Sequence, residues 1–246
     1  MICRHCHFTT ELLKICPQCQ GSYLRSLGTG IEKLESEAAR LYPSARVACF
    51  DKEKSGLPQN WDILIATQAI LRFQDQMKVH LIGVLRFDEE LNRFDFRSGQ
   101  RAFNLLVHLR QWAQEKLVIQ TRMMDNYCLK ALAQMDFDAF YRKELNLRRE
   151  LGFPPSRHLV AVGLRGKKED VMLEESHRLF DQLKERSPRG MEIMEPHPDM
   201  VPKLRDQYRW TIMLKGKTLR PLLLTAKRTL KSFKKKSVII TVDGNP

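Results

Sequence analysis

Apolar residues at 31, 34, 38 and 41 recur at a helical period and stop short of Pro43, so the first clear element along this chain is a helix over 31–41. Continuous apolar runs of strand length follow at 45–50, 62–67, 79–85 and 116–121, with a helical pattern over 97–112 before the last of them. Continuous rather than alternating apolar strands, separated by helices, predict a parallel sheet covered on both faces. Residues 125–150 read as wholly helical, carrying Leu129, Leu132, Phe137, Phe140, Leu145 and Leu147. Gly152, followed by Pro154-Pro155, ends that helix and marks the sharpest boundary in the sequence.

Beyond this boundary the pattern runs strand 158–165, helix 168–186, strand 191–195, strand 208–215, helix 219–235, strand 237–243. A βαββαβ order is the split βαβ, ferredoxin-like arrangement. In the strand at 208–215, Tyr208, Trp210, Ile212 and Leu214 point one way while Arg209, Thr211, Met213 and Lys215 point the other. Tyr208 and Trp210 are therefore core residues first and base-stacking platforms second. The resulting division is a metal-binding element at 1–27, an α/β domain at 28–124, a helical linker at 125–155 and a C-terminal domain at 156–246.

Charge sharpens the picture. The chain has 246 residues, enough for one large or two small cored domains, and carries 42 Lys and Arg against 29 Asp and Glu, formally +13. From Lys203 to Lys236 there are twelve basic residues and one acid, Asp206, so +11 of the +13 sits in that segment. Such a concentration points to a polyanion, nucleic acid first, against the plainer alternative of a solvated helix face. The expected phosphate contacts are Arg205, Arg209, Lys215, Lys227, Arg228, Lys231, Lys234, Lys235 and Lys236. Arg209 and Lys215 share the non-core side of one strand, and Lys227, Lys231 and Lys234 fall three or four apart along one side of the next helix.

Cysteines supply the one strong metal signal. Cys3-Arg4-His5-Cys6 and Cys16-Pro17-Gln18-Cys19 are two Cys-x-x-Cys turns, enough for a tetrahedral sulfur shell around zinc. A closed shell leaves no position for a reactive water, so the zinc is expected to be structural. Glycine often follows the second cysteine of such turns; His7 and Gln20 stand there instead, and His5 or His7 competes as a ligand. Cys49 and Cys128 sit alone in apolar runs and read as core residues. Met1 leads into the metal motif rather than a signal peptide, and no stretch is apolar for long enough to span a bilayer. Free thiols then fit a cytoplasmic setting with no membrane partner.

Several stretches, in this order, resemble the C-terminal half of the primosomal protein N′ (PriA) family of replication-restart helicases. They are the paired cysteines, Gly28-Thr29-Gly30-Ile31-Glu32-Lys33-Leu34, Asp62-Ile63-Leu64-Ile65-x-Thr67-Gln68, Asp95-Phe96-Arg97-Ser98, Ala139-Phe140-Tyr141, Arg148-Arg149-Glu150-Leu151-Gly152-Phe153-Pro154-Pro155 and Tyr208-Arg209-Trp210. The resemblance implies a RecA-like second helicase lobe with a zinc element ahead of it, and a terminal domain contacting DNA, branched or single-stranded, and primosome proteins. It also implies eight cysteines in two interleaved sites, of which only the last four occur here. Cys3, Cys6, Cys16 and Cys19 then either form one joint site or share metals with a separate chain.

The family's nucleotide chemistry is not matched. No G-x-x-x-x-G-K-[ST] phosphate loop occurs. Where the family carries Lys-Gly-His-x-Phe, this chain has Arg72-Phe73-Gln74-Asp75-Gln76, and its arginine-finger motif is replaced by His108-Leu109-Arg110-Gln111-Trp112-Ala113. Arg110 is the one candidate finger. Two readings result: a DNA-binding, restart-like scaffold with structural zinc, no ATP and no motor of its own, or the second-lobe half of a split ATP-dependent 3′–5′ helicase working with a first-lobe chain. An independent enzyme is the weakest alternative, since Asp88-Glu89-Glu90 reads as a solvated turn and the histidines form no metal pair.

Overall fold

A computed structural model describes residues 15–22, 30–51, 56–93 and 95–244, the side chain of Met200 excepted. The elements run α1 (Ile31–Leu41), β1 (Val47–Phe50), β2 (Ile63–Ala66), a 3₁₀ helix (Gln68–Gln76), β3 (Val79–Val84), α2 (Asp88–Leu91), α3 (Ser98–Trp112), β4 (Ala113–Ile119), α4 (Tyr127–Gln134), α5 (Phe137–Glu150), β5 (His158–Gly166), α6 (Glu169–Glu185), β6 (Glu192–Ile193), β7 (His197–Leu204), β8 (Gln207–Gly216), α7 (Leu219–Ser232) and β9 (Ile239–Asp243). Among the described residues no helix is long and apolar enough to cross a membrane. The fold is mixed α/β with parallel strand pairs, and it gathers into two units. One holds the described residues up to Phe87 with Leu105–Thr121; the other holds Asp88–Asn104 and the described residues from Arg122 onward.

In the first unit the expected α/β pattern is present, but the single sheet is not. Strands β1 and β2 pair in parallel, β3 and β4 pair in parallel, and no strand among the described residues joins the two pairs. Nor are the strands buried on both faces: Leu81 and Val118 are each about half exposed, as is Leu85 just after β3. Arg46 holds the mouth of the first pair, donating from its backbone N–H, Nε and Nη2 to Asp62 at 2.8, 2.9 and 2.8 Å. Those bonds hold the Asp62 carboxyl well below the ordinary carboxylate range.

In the second unit the expected continuous helix over 125–150 is broken into α4 and α5. Met135 adopts a left-handed conformation (φ 51°), and Asp136 restarts the helix by accepting from the Ala139 N–H at 2.8 Å. Helix α5 ends in paired bonds from Phe153 N–H to Arg148 O (2.7 Å) and from Gly152 N–H to Arg149 O (3.2 Å), with Gly152 at φ +63°. This is a Schellman cap, and it explains why a glycine stands there.

The C-terminal sheet is antiparallel in the order β6-β8-β5-β9. Its βαββαβ path is the one expected from the sequence, with one addition. Strand β7 pairs with β8 at the edge, and its Pro198 and Pro202 concealed it in the sequence because proline is tolerated there only for lack of an inner neighbour. Helices α6 and α7 cover one face: Val160, Val162, Leu164, Ile212 and Leu214 of the sheet pack with Met172, Leu179, Leu183, Leu222 and Ala226, all essentially inaccessible. Tyr208 and Trp210 pack against this core, as their parity predicts.

Candidate nucleic-acid interface

Helix α7 alternates between core and solvent at its own period. Leu222, Thr225, Ala226 and Thr229 are buried, which leaves Lys227, Arg228 and Lys231 exposed on the opposite side. The helix stops at Ser232, not at 235, because Phe233 leaves the helical path and turns into the core. Lys234 and Lys235 therefore follow the helix as an exposed loop rather than continuing its stripe. None of these five cations has an ion-pair partner among the described residues. Lys236 differs: its Nζ lies 3.3 Å from Glu174 and its backbone N–H donates to Glu175.

Two arginines that the sequence reading passed over brace this end. Arg186 donates to Arg228 O at 3.2 Å and to Ser232 Oγ at 2.6 Å, and Arg178 donates to Lys234 O while paired with the buried Glu175. They lie eight residues apart, two turns of α6, and that spacing is the signal that places both toward α7. Cations at a helix C-terminus also oppose the negative end of the helix dipole.

Strand β8 divides the remaining candidates. Arg205 is exposed in the β7–β8 turn (φ 50°). Arg209 is one-third exposed and lies 3.5 Å from Asp199. Lys215 is a correction: it is buried, not available to a ligand. Its ammonium donates to Leu151 O at 2.8 Å, sits 3.5 Å from Glu192, and lies over the Phe153 ring. The strand's non-core face is covered there by the residues that follow α5.

The Asp95 to Ser98 and Arg148 to Pro155 stretches, far apart in sequence, meet in space. Phe96 stacks on Phe153 with centroids 5.4 Å apart, and the Arg148 guanidinium sits over Phe96 while bonding Glu144 and Gln100. Glu144 in turn accepts from the Tyr127 hydroxyl at 2.5 Å, and burial followed by this bond pushes the Tyr127 ionisation far up. This cluster is a structural lock: Arg148, Glu144 and Tyr127 are bonded to one another and to their neighbours.

The residues Arg72 and Arg110, set against the nucleotide motifs in the sequence, make packing contacts. Arg72 lies over both Phe50 and Phe73, whose rings meet edge to face. Arg110 donates to Ala113 O at 3.2 Å, closing the end of its own helix. The Trp112 indole N–H donates to Met77 O at 3.0 Å, beside an open cleft of about 530 Å³ lined by Gln74 to Lys78, His108, Gln111 and Gln114. Asp88, Glu89 and Glu90 form the first turn of α2, where Asp88 accepts from the Arg122 N–H and Glu90 pairs with Arg93.

A family model described as the primosomal protein N C-terminal domain matches residues 149–246, from the last turn of α5 through β9. The replication restart protein PriA of Bacillus subtilis is 29% identical, in an alignment covering 99% of this chain and 33% of the relative. PriA of Borreliella burgdorferi is 25% identical, with 100% and 40% covered. PriA of Thermotoga maritima is 29% identical, with 93% and 32% covered. The chain is similar to PriA proteins over its length, and to the primosomal protein N C-terminal domain over residues 149–246. It spans about a third of the length of these relatives. A solved de novo designed protein, Foldit4, aligns with 35% of the chain at a TM-score of 0.29 and 16% identity, a likeness too loose to carry an argument.

Of the four cysteines proposed from this PriA resemblance as zinc ligands, Cys3 and Cys6 lie outside the described residues. Cys16 and Cys19 lie in a tight turn closed by Gln20 N–H to Cys16 O and Cys16 N–H to Gly21 O, both 2.9 Å. Gln20 itself takes the left-handed conformation (φ 59°) that glycine more often supplies. The backbone N–H groups of Cys19 and Gln18 turn toward the Cys16 sulfur and lower its ionisation. A turn that favours thiolate fits one half of a sulfur-ligated zinc site. Cys128 is buried as expected, and Cys49 half-buried.

Proposed function

We propose that this chain is a DNA-binding protein of replication restart, gripping phosphate through the exposed cations of α7 and the loop after it, with no ATPase motor of its own. One observation carries the reading. Lys227, Arg228, Lys231, Lys234 and Lys235 crowd one end of one helix without a single acid engaged among the described residues, so the fold holds a concentrated positive field uncompensated. The relatives' printed name, replication restart protein PriA, supports the setting. Arg110, tied to its own helix end, supports the lack of a motor. A structural zinc on Cys3, Cys6, Cys16 and Cys19 completes the proposal, its role being to order the N-terminal element rather than to react.

The test is the salt dependence of binding to labelled duplex and single-stranded DNA. Five phosphate contacts give log K falling with log salt at a slope of about −4 to −5 on duplex. Binding that ignores salt, or no binding in dilute buffer, overturns the reading.

A second reading, the second-lobe half of a split 3′–5′ helicase, is favoured by the half-exposed Leu81 and Val118 on β3–β4 and Leu85 just after β3, an apolar surface of the kind a partner covers. It requires DNA-stimulated ATP hydrolysis on adding a chain that bears a phosphate loop. Hydrolysis that then survives Arg110→Ala excludes Arg110 as the finger.

A further inference from the structure

The face of the C-terminal sheet away from α6 and α7 carries a second charged arrangement. Across the β5–β8 ladder Arg165 stands directly opposite Arg209, and Gly163 opposite Thr211. On the other side of β5 the same rows continue to Ile239 and Thr241, and on the other side of β8 His197 pairs with Thr211. Paired residues share a face, so Arg165 and Arg209 project together on the side the helices leave uncovered.

Like charges directly opposite across an antiparallel pair oppose folding unless something compensates them. Here the compensation is partial. Asp199 lies 3.5 Å from the Arg209 Nε and is already bonded by the Thr211 hydroxyl at 2.6 Å. Arg165 is half-buried and has no hydrogen bond or ion pair among the described residues. The remaining acid on this face along β9, Asp243, stands opposite Ala161, four residues and about 13 Å along the strand from Arg165. Beside the arginines the floor of the face is low, because β5 supplies Gly163 and Ala161 there, and it is bordered by the Thr211 and Thr241 hydroxyls. Tyr208 and Trp210 are turned to the opposite side, so beside the arginines the face offers guanidinium and hydroxyl groups, and its rings are His197, opposite Thr211, and Phe153, over Lys215.

We propose that this helix-free face, centred on Arg165 and Arg209, is a second contact for the phosphate backbone of DNA, so that the domain engages nucleic acid on both sides of its sheet. The proposal rests on the DNA-binding reading above and names a surface which that reading does not use. The guanidinium fork matches phosphate oxygens, and the missing Cβ of Gly163 keeps the floor low, with the Thr241 hydroxyl oxygen 3.0 Å from where a Cβ would stand. A contact made to phosphates rather than to base edges is indifferent to sequence.

The experiment measures the salt dependence of duplex binding by the full chain and its variants. Arg165→Gln breaks no bond or ion pair among the described residues and so leaves the fold intact. It reduces the slope of log K against log salt by about 1, and Arg165→Gln with Arg209→Gln by about 2. A chain carrying Lys227→Glu, Arg228→Glu and Lys231→Glu keeps weak, salt-sensitive binding in dilute buffer, and adding the two sheet substitutions removes it. Unchanged slopes in both sheet variants overturn the second contact and leave the α7 reading standing. A parent chain that binds no DNA overturns both.

Discussion

The ammonium nitrogen of Lys215 lies 2.8 Å from the carbonyl oxygen of Leu151, tying the end of strand β8 to the last residue of the α5 cap. Gly152 makes room for that bond: a Cβ there would come within 2.9 Å of the Lys215 Cε and Nζ. A residue whose strand parity advertised it to a ligand is instead the pin between the helical pair and the C-terminal sheet.

Lys215→Met keeps most of the stem and removes the donor. The Leu151 carbonyl then loses its partner, and Glu192 keeps only Arg157. Stability falls by roughly 0.5–1.5 kcal/mol, the net value of one intramolecular hydrogen bond. Denaturant unfolding measures it, and DNA affinity of the still-folded variant stays at the parent level.

Gly99→Ala strikes the second lock. The added methyl would stand 2.2 Å from the Tyr127 hydroxyl oxygen and 2.9 Å from Glu144 Oε2. Tyr127 must swing away and lose Glu144, at a cost of about 1–3 kcal/mol typical of overpacking. A thermal midpoint equal to the parent's contradicts this.

Stability also falls in alkali. Burial pushes the Cys128 thiol from 9.0 up to about 12, and burial with the Glu144 bond raises the Tyr127 phenol still further. Both groups are neutral in the fold and ionise more readily when unfolded, so the unfolded chain releases protons first. Their contribution is whole below pH 9 and declines above it, for Cys128 until about pH 12. Cys128→Ala flattens the decline between pH 9 and 12 in unfolding measured against pH.

These locks separate what the sequence discloses from what it conceals. The period of Ile31, Leu34, Ala38 and Leu41 gives α1 directly, and parity along β8 places Tyr208 and Trp210 in the core, because both are local properties of the chain. Parity does not say what covers a strand's other face. The cover over Lys215 is Leu151, 64 residues away, and no local pattern announces it. The break at Met135 was hidden because apolar spacing continues across it, while Asp136, a ready helix cap, was its only mark. In the candidate interface the i, i+4 pair Lys227 and Lys231 was legible. Arg165 was not, since its meaning depends on Arg209 across the ladder, and the end of α7 was misplaced because Phe233 fits a helical period as well as a turn into the core.

The zinc proposal predicts close to one zinc per chain in protein purified without a chelating tag. Cys16→Ser removes one sulfur from a turn built for thiolate and lowers the zinc content sharply. Protein that is zinc-free and equally well folded contradicts the site.

The most direct test of the DNA-binding account is retention on immobilised duplex at moderate salt by the chain with Lys227→Glu, Arg228→Glu and Lys231→Glu. All three side chains are exposed and none is ion-paired among the described residues, so the substitutions leave the folded domain in place. The account predicts that retention is lost while the domain still unfolds in one cooperative transition above the assay temperature. Retention equal to the parent's would mean that the basic end of α7 serves a protein partner or solubility, and not DNA.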